Sequence, residues 1–155
     1  MTHPEFNTEF KTLDDMTARE AYELFKLRVD VFVAEQDCPF NELDEVDAAS
    51  DTFHILARDA SGRLAGCARV FPEVRDGVPH ARFGRFVVAP YARGTGVGPE
   101  IVRAGLEFTR RWPGDLVIEA QTGLVGYYNR FGLVEEGEEF LDGSIPHVLM
   151  RKRRS

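Results

Sequence analysis

Phe86-Val87-Val88-Ala89-Pro90-Tyr91-Ala92-Arg93-Gly94-Thr95-Gly96-Val97-Gly98 reads as a strand running into a glycine loop, and Glu100 to Trp112 continue it as a helix. Such a loop makes an anion site. Gly94, Gly96 and Gly98 reach backbone angles closed to other residues and let a ligand approach the main chain, while the helix's first turn offers amides with no intrahelical partner. The loop lacks the Lys-Ser or Lys-Thr of a P-loop, and its spacing is G-x-G-x-G rather than the dinucleotide G-x-G-x-x-G. What remains is R-x-x-G-x-G from Arg93, a pattern that also suits a tight turn without any ligand.

Outward from the loop, helices and strands mix. Phe6, Thr8, Phe10 and Thr12 alternate with polar neighbours as a first strand does. Thr17-Ala18-Arg19-Glu20 forms a capping box, and Ala21, Leu24, Phe25, Val31 and Phe32 follow at helical spacing, predicting a helix of about four turns. Thr52 to Asp59 and Leu64 to Phe71 flank the turn Ala60-Ser61-Gly62-Arg63 as an antiparallel hairpin. Ala81 to Val88 is the strand entering the glycine loop. On the helix after it, Ile101, Ala104, Gly105, Phe108 and Trp112 share one face; Gly105 costs about 1 kcal/mol against alanine there, which predicts close packing on the sheet. Leu116 to Gln121 is a strand and Leu124 to Phe131 a short helix stopped by Gly132. Val134 to Glu138 and His147 to Met150 supply the last strands.

The 155 residues suit a single domain spanning 1–155, with 43% hydrophobic and 29% charged residues and no apolar run of membrane-span length. Cytoplasm is the expected location, since the amino terminus has no signal-peptide core. Cys38 and Cys67 are too few and too far apart for a disulfide framework or zinc knuckle and read as reduced thiols, and no metal is expected. The net charge of -7 argues against nucleic acid as a partner. Acid is concentrated at Glu35, Asp37, Glu42, Asp44, Glu45, Asp47 and Asp51, a stretch that is either a solvated loop or a local field drawing a cation. The closing Arg151-Lys152-Arg153-Arg154-Ser155 reads as a frayed basic tail.

Several motifs in order carry a resemblance. The element order, Arg93-Gly94-Thr95-Gly96-Val97-Gly98 and Tyr127-Tyr128-Asn129-Arg130-Phe131-Gly132-Leu133 together resemble the GNAT superfamily of acyl-CoA-dependent N-acetyltransferases. Leu27-Arg28 with Val31-Phe32-Val33, Glu35-Gln36-Asp37-Cys38-Pro39-Phe40, Gly84-Arg85, Ala120-Gln121 and Ile145-Pro146-His147 with Met150 are similar to its ElaA-type branch. The resemblance implies an α/β fold with a mixed central sheet and flanking helices, splayed between the fourth and fifth strands. Acetyl-CoA would enter that wedge with its pyrophosphate on Arg93, Gly94, Thr95, Gly96, Val97 and Gly98. Pantetheine would run along Phe86, Val87 and Val88 as an added strand, held by Gln121 where relatives use asparagine. Pro99 departs from the pattern: it has no N–H to give a phosphate, though it suits a first helical turn.

By the same resemblance Tyr128 is the general acid for the departing thiolate. A phenol pKa near 10 lies above a thiol's roughly 8.5, so full proton transfer is uphill by about 2 kcal/mol. A hydrogen bond that strengthens in the transition state, with a lowered tyrosine pKa, is the expected form. Tyr127 is expected to pack.

The acceptor is expected to be a small amine or an exposed protein or peptide amine, attacking directly in a ternary complex. An alkyl ammonium must first lose a proton. His147, Glu119 and Glu35 are the candidate bases, each with an ordinary structural role as the alternative; histidine's usual pKa lies closest to neutrality. Arg28 and Arg85 either contact substrate or order the acidic segment through internal ion pairs. Cys38 offers an acyl-enzyme route but has no adjacent histidine to activate it. The competing class is a noncatalytic acyl-CoA sensor, and the oligomeric state is open.

Overall fold

In a computed structural model, residues 5–35 and 42–154 are described. Strand β1 (Asn7–Lys11) leads to helix α1 (Ala18–Arg28), which opens on the expected capping box: Thr17 Oγ1 accepts from Glu20 N at 3.1 Å while Glu20 Oε1 accepts from Thr17 N at 2.9 Å. The helix then loosens into a π-helical stretch, Val29–Glu35. Strands β2 (Phe53–Arg58) and β3 (Leu64–Arg75) form the expected hairpin, its turn pinned by Asp59, whose Oδ1 accepts from Ser61 N, Ser61 Oγ and Arg63 N at 2.9, 2.7 and 3.0 Å.

Strand β4 (Val78–Val88) returns from a second hairpin at Asp76-Gly77, both at positive φ (53° and 77°). An Asp-Gly pair between apolar runs is the strongest short hairpin signal, and here it carries β3 past the expected Phe71 and starts β4 before the expected Ala81. Helix α2 (Val97–Phe108), β5 (Asp115–Gln121), α3 (Val125–Asn129), β6 (Val134–Asp142) and β7 (Ile145–Lys152) complete the order. No helix among the described residues is long and apolar enough to cross a membrane.

The seven strands lie in the order β1-β2-β3-β4-β5-β7-β6, and α/β is the correct class. All neighbours are antiparallel except β4 and β5. On one face α2 and α3 bury Ile55, Val70, Phe83, Ile118 and Met150. Gly105 makes that packing possible, since a Cβ there would stand 2.6 Å from the Phe83 ring and 3.0 Å from Ile55 Cδ1. On the other face α1 covers Leu56, Cys67 and Val87.

The parallel pair is brief. Its register runs only from His80↔Asp115 to Arg82↔Val117, although β4 continues to Val88 and β5 to Gln121. A bulge marks the change: Cys67↔Val87 and Arg69↔Gly84 set two steps on β3 against three on β4, with Arg85 at φ 46° as the extra residue. Past Arg82 the fourth and fifth strands part, as the resemblance implies.

Candidate active site

Of the glycine loop's residues, Gly94 and Gly96 sit at φ 78° and 91°, and Gly96 caps α2. Among the described residues their amides donate to no loop carbonyl, and those of Val97 and Gly98 have no partner one turn back, so four N–H groups stand available at one helix start. A Cβ on Gly94 or Gly96 would meet nothing within 4 Å, leaving the approach open. Gly98 is closer in, with Val88 Cγ2, Tyr127 Oη and Phe86 Cζ 3.3 to 3.5 Å from a Cβ position. The loop therefore fits a diphosphate. Pro99 stands within the first turn, where its missing N–H takes no bond from the helix. Arg93 forks Glu35 at 2.7 and 2.9 Å, tying the π-helical end to the loop. The Arg93 hydrogen bond lowers the Glu35 pKa, which weakens Glu35 as a base.

Gly96→Val is expected to weaken acetyl-CoA binding at least tenfold by calorimetry, through strain at positive φ and bulk over the anion approach. Gly62→Val is the control, because Gly62 has nearly the same φ, 90°, in a remote turn with equally open space. Equal affinities for the two variants would remove the loop from the site.

Between the parted strands lies a chamber of about 320 Å³ that passes through the sheet. From the α2/α3 face Phe86, Ile118, Ala120 and Tyr128 line it. Side chains alternate along a strand, so Glu119 and Gln121, flanking Ala120, face the α1 side, as does His147 beside core-facing Val148. Gln121 pairs with His147 across β5 and β7. The chamber is thus lined from both faces of the sheet.

Tyr128 is buried and anchored at its backbone: its carbonyl accepts from Phe131 N and Leu133 N at 3.0 and 3.4 Å, and Gly132 at φ 89° turns the chain back. Burial pushes its phenol pKa up, and Tyr127 adds to the rise. This corrects the expected lowering. Tyr127 packs on Phe86, Tyr128 and Phe131 as expected, but its Oη is buried without a partner.

His147 Nδ1 lies 2.8 Å from the Ile145 carbonyl. A carbonyl only accepts, so Nδ1 is the donor, and in the neutral ring the lone pair lies on Nε2. The ring is 9% exposed and stacks on Phe140. Glu119, 36% exposed, stands 3.5 Å from Arg82 Nη2.

The acidic segment departs most from expectation. Glu42 and Asp47 are each 3% exposed, inside a network with Arg28 at 1%. Arg28 reaches Glu42 Oε2 through Nε and Asp47 Oδ1 through Nη1, each at 2.7 Å; Arg69 reaches Asp44 and Asp47 at 2.7 and 2.9 Å. Arg85, freed by the bulge, meets Glu42 at 3.1 Å and Asp44 at 3.5 Å. Three arginines cancel these three acids, so neither a solvated loop nor an unscreened field drawing cationic acceptors describes them. Arg28 and Arg85 order the segment, the conservative alternative above. Burial raises the Glu42 pKa despite Arg28 and Arg85. Burial also opposes ionisation of Asp47, but Arg28, the Asp44 N–H and Arg69 outweigh it and hold the carboxyl to about 2. Cys67 is buried, which drives its thiol up to about 12 and removes it as a nucleophile, while Cys38 and Asp37 lie outside the described residues.

Comparison with known proteins agrees with this geometry. The acetyltransferase (GNAT) domain profile matches residues 12–154. The UPF0039 protein Rv2851c of Mycobacterium tuberculosis is 40% identical over 136 residues, 88% of this chain and 86% of that protein. Protein ElaA of Escherichia coli K12 is 33% identical over 140 residues, 89% of this chain and 90% of that one. The crystal structure of an acyl-CoA N-acyltransferase from Pseudomonas aeruginosa superposes with a TM-score of 0.86 at 34% identity, covering 96% of this chain and 99% of the other.

Proposed function

The chain belongs to the GNAT acetyltransferase family, whose activity is acyl-CoA-dependent acyl transfer, and from that premise we propose that it moves acetyl from acetyl-CoA to a primary amine by direct attack in a ternary complex. The chamber between the parted strands carries this reading, because Phe86 and Tyr128 line it from one face of the sheet and Glu119 and His147 from the other. The amides of Gly94, Gly96, Val97 and Gly98 hold the diphosphate, with Arg93 and Thr95 flanking it. Main-chain groups of Phe86, Val87 and Val88, beyond the last β4–β5 pair, accept the pantetheine arm as an added strand, and Gln121 steadies it.

Tyr128 donates a hydrogen bond to the departing sulfur. Its raised pKa keeps the proton on the phenol, so stabilisation comes from the bond and not from completed transfer. His147 Nε2 takes the proton that the attacking ammonium must lose, and Glu119 on the same face serves through water. The acceptor is a small amine or an exposed protein or peptide amine, admitted from the α1 side, where Glu42, Asp44 and Asp47 are already paired with arginines.

Purified protein with acetyl-CoA and a broad panel of primary amines, lysine peptides included, tests the reading. Thiol release exceeding the protein concentration, dependent on an amine and matched by acetylated product, is expected. Tight acetyl-CoA binding without turnover across the panel would replace the enzyme by an acyl-CoA sensor.

A further inference from the structure

The basic chain end is not a frayed tail. Arg151 and Lys152 complete β7, and Lys152, Arg153 and Arg154 form one wall of an open cleft. Arg103, Arg110 and Arg111 form the facing wall from α2 and the turn after it, and Arg130 closes the side. Seven lining side chains are therefore cationic, against a single acid, Glu107.

Outside the cleft most of the described arginines are paired. Arg28, Arg58, Arg69, Arg82, Arg85, Arg93 and Arg151 each meet a carboxylate. In the cleft, among the described residues, one ion pair forms, Arg110 with Glu107 at 3.5 Å between largely exposed side chains. Lys152 Nζ and Arg154 Nη2 donate to the carbonyls of Phe131 and Leu106 at 3.0 and 2.9 Å, and Arg111 lies 3.4 Å from the Phe108 ring centroid. Arg154 Nη1 is buried with no partner among the described residues. A chain with 26 acidic residues against 19 basic ones has carboxylates to spare, yet seven cations share this cleft with one. Glu107 and Asp115 offset part of their mutual repulsion, and an anion from outside would relieve the rest.

We propose that this cleft is a binding site for a small anion carrying several phosphates. Guanidinium forks pair bidentately with phosphate oxygens, and cations on facing walls need a ligand with more than one charge to bridge them. The recess suits a small ligand better than a flat protein surface. Its lining begins near the cofactor side, with Arg103 in the middle of α2 and Arg130 within electrostatic reach of Tyr127, but Arg110 and Arg111 lie beyond the helix end, about 18 Å from the glycine loop along its 12 residues. A phosphate one ribose from the diphosphate does not span that length to Arg110.

Inorganic tripolyphosphate is the probe, titrated calorimetrically with and without saturating CoA, whose own binding is measured first. Saturable binding that persists under CoA, exceeds that of monophosphate and weakens with salt is expected. The exposed double variant Arg110→Glu/Arg153→Glu should bind tripolyphosphate at least tenfold more weakly while keeping its CoA affinity. Arg19→Glu/Arg75→Glu, an equal charge change on other elements, should bind as wild type does. No saturable binding, equal loss in both double variants, or loss under saturating CoA would each overturn the proposal, the last by returning the cleft to the cofactor site.

Discussion

Arg28→Ala is expected to lower the free energy of unfolding by about 3–5 kcal/mol, the range for leaving a buried charge unpaired. Arg28 satisfies four acceptors at once: Glu42 Oε2 and the Glu42 carbonyl at 2.7 Å, and both Asp47 oxygens at 2.7 and 3.2 Å. Its removal leaves three acids to two guanidinium groups in a buried site, with only Arg85 at 3.1 Å on Glu42 and Arg69 at 2.9 Å on Asp47. For a chain of this length the melting temperature should fall by about 6–20 °C. Arg28→Lys should recover little, because one ammonium cannot copy a forked guanidinium. The acid limb gives an independent check. Asp47 is held to about 2 from an ordinary 3.8, so its stabilisation is complete above the unfolded value and is lost as pH falls toward 2, about 2 kcal/mol in all. Glu42 has the opposite sign: its raised pKa makes ionisation in the fold a cost that appears as pH rises through the carboxylate range. The stability difference between wild type and Arg28→Ala should therefore shrink between pH 4 and 2. A loss under about 1 kcal/mol at neutral pH, or a difference independent of pH, would mean that packing alone holds the segment.

This network shows where reading along a chain stops. The capping box at Thr17, the glycine loop, the stop at Gly132 and the tight packing of Gly105 are written within a few residues, and each is found where its local chemistry places it. Arg28 instead meets partners 14 and 19 positions away, and Arg69 meets Asp44 across 25, distances at which charge in a sequence carries no direction. The acidic stretch consequently resembles a solvated loop until the sheet folds three arginines over it. The bulge at Arg85 is equally silent, since an arginine at φ 46° follows from pairing and not from propensity. Asp76-Gly77 differs: its signal was local and strong, and the hairpin it makes extends β3 and β4 by several residues. At the site, residue types are readable but the partition of Tyr128 and His147 onto opposite sides of one opening comes from where the β4–β5 register ends.

Tyr128→Phe is expected to lower the single-turnover rate about 100-fold, near 2.7 kcal/mol of transition-state stabilisation, with acetyl-CoA affinity within about twofold of wild type. The substitution removes one oxygen and keeps the ring that packs beside Tyr127. Because burial raises the phenol pKa above its ordinary 10.0, the donor form persists through the neutral and mildly alkaline range, and no loss of rate from tyrosine ionisation should appear there. Tyr127→Phe is the internal control. Its hydroxyl is buried with no partner, so deletion should leave the rate unchanged and hold or slightly raise the melting temperature, since an unsatisfied buried oxygen costs free energy. Single-turnover measurement keeps product release from hiding the chemical step. If Tyr128→Phe reacts as fast as Tyr127→Phe under those conditions, Tyr128 is a packing residue and gives the departing sulfur no hydrogen bond.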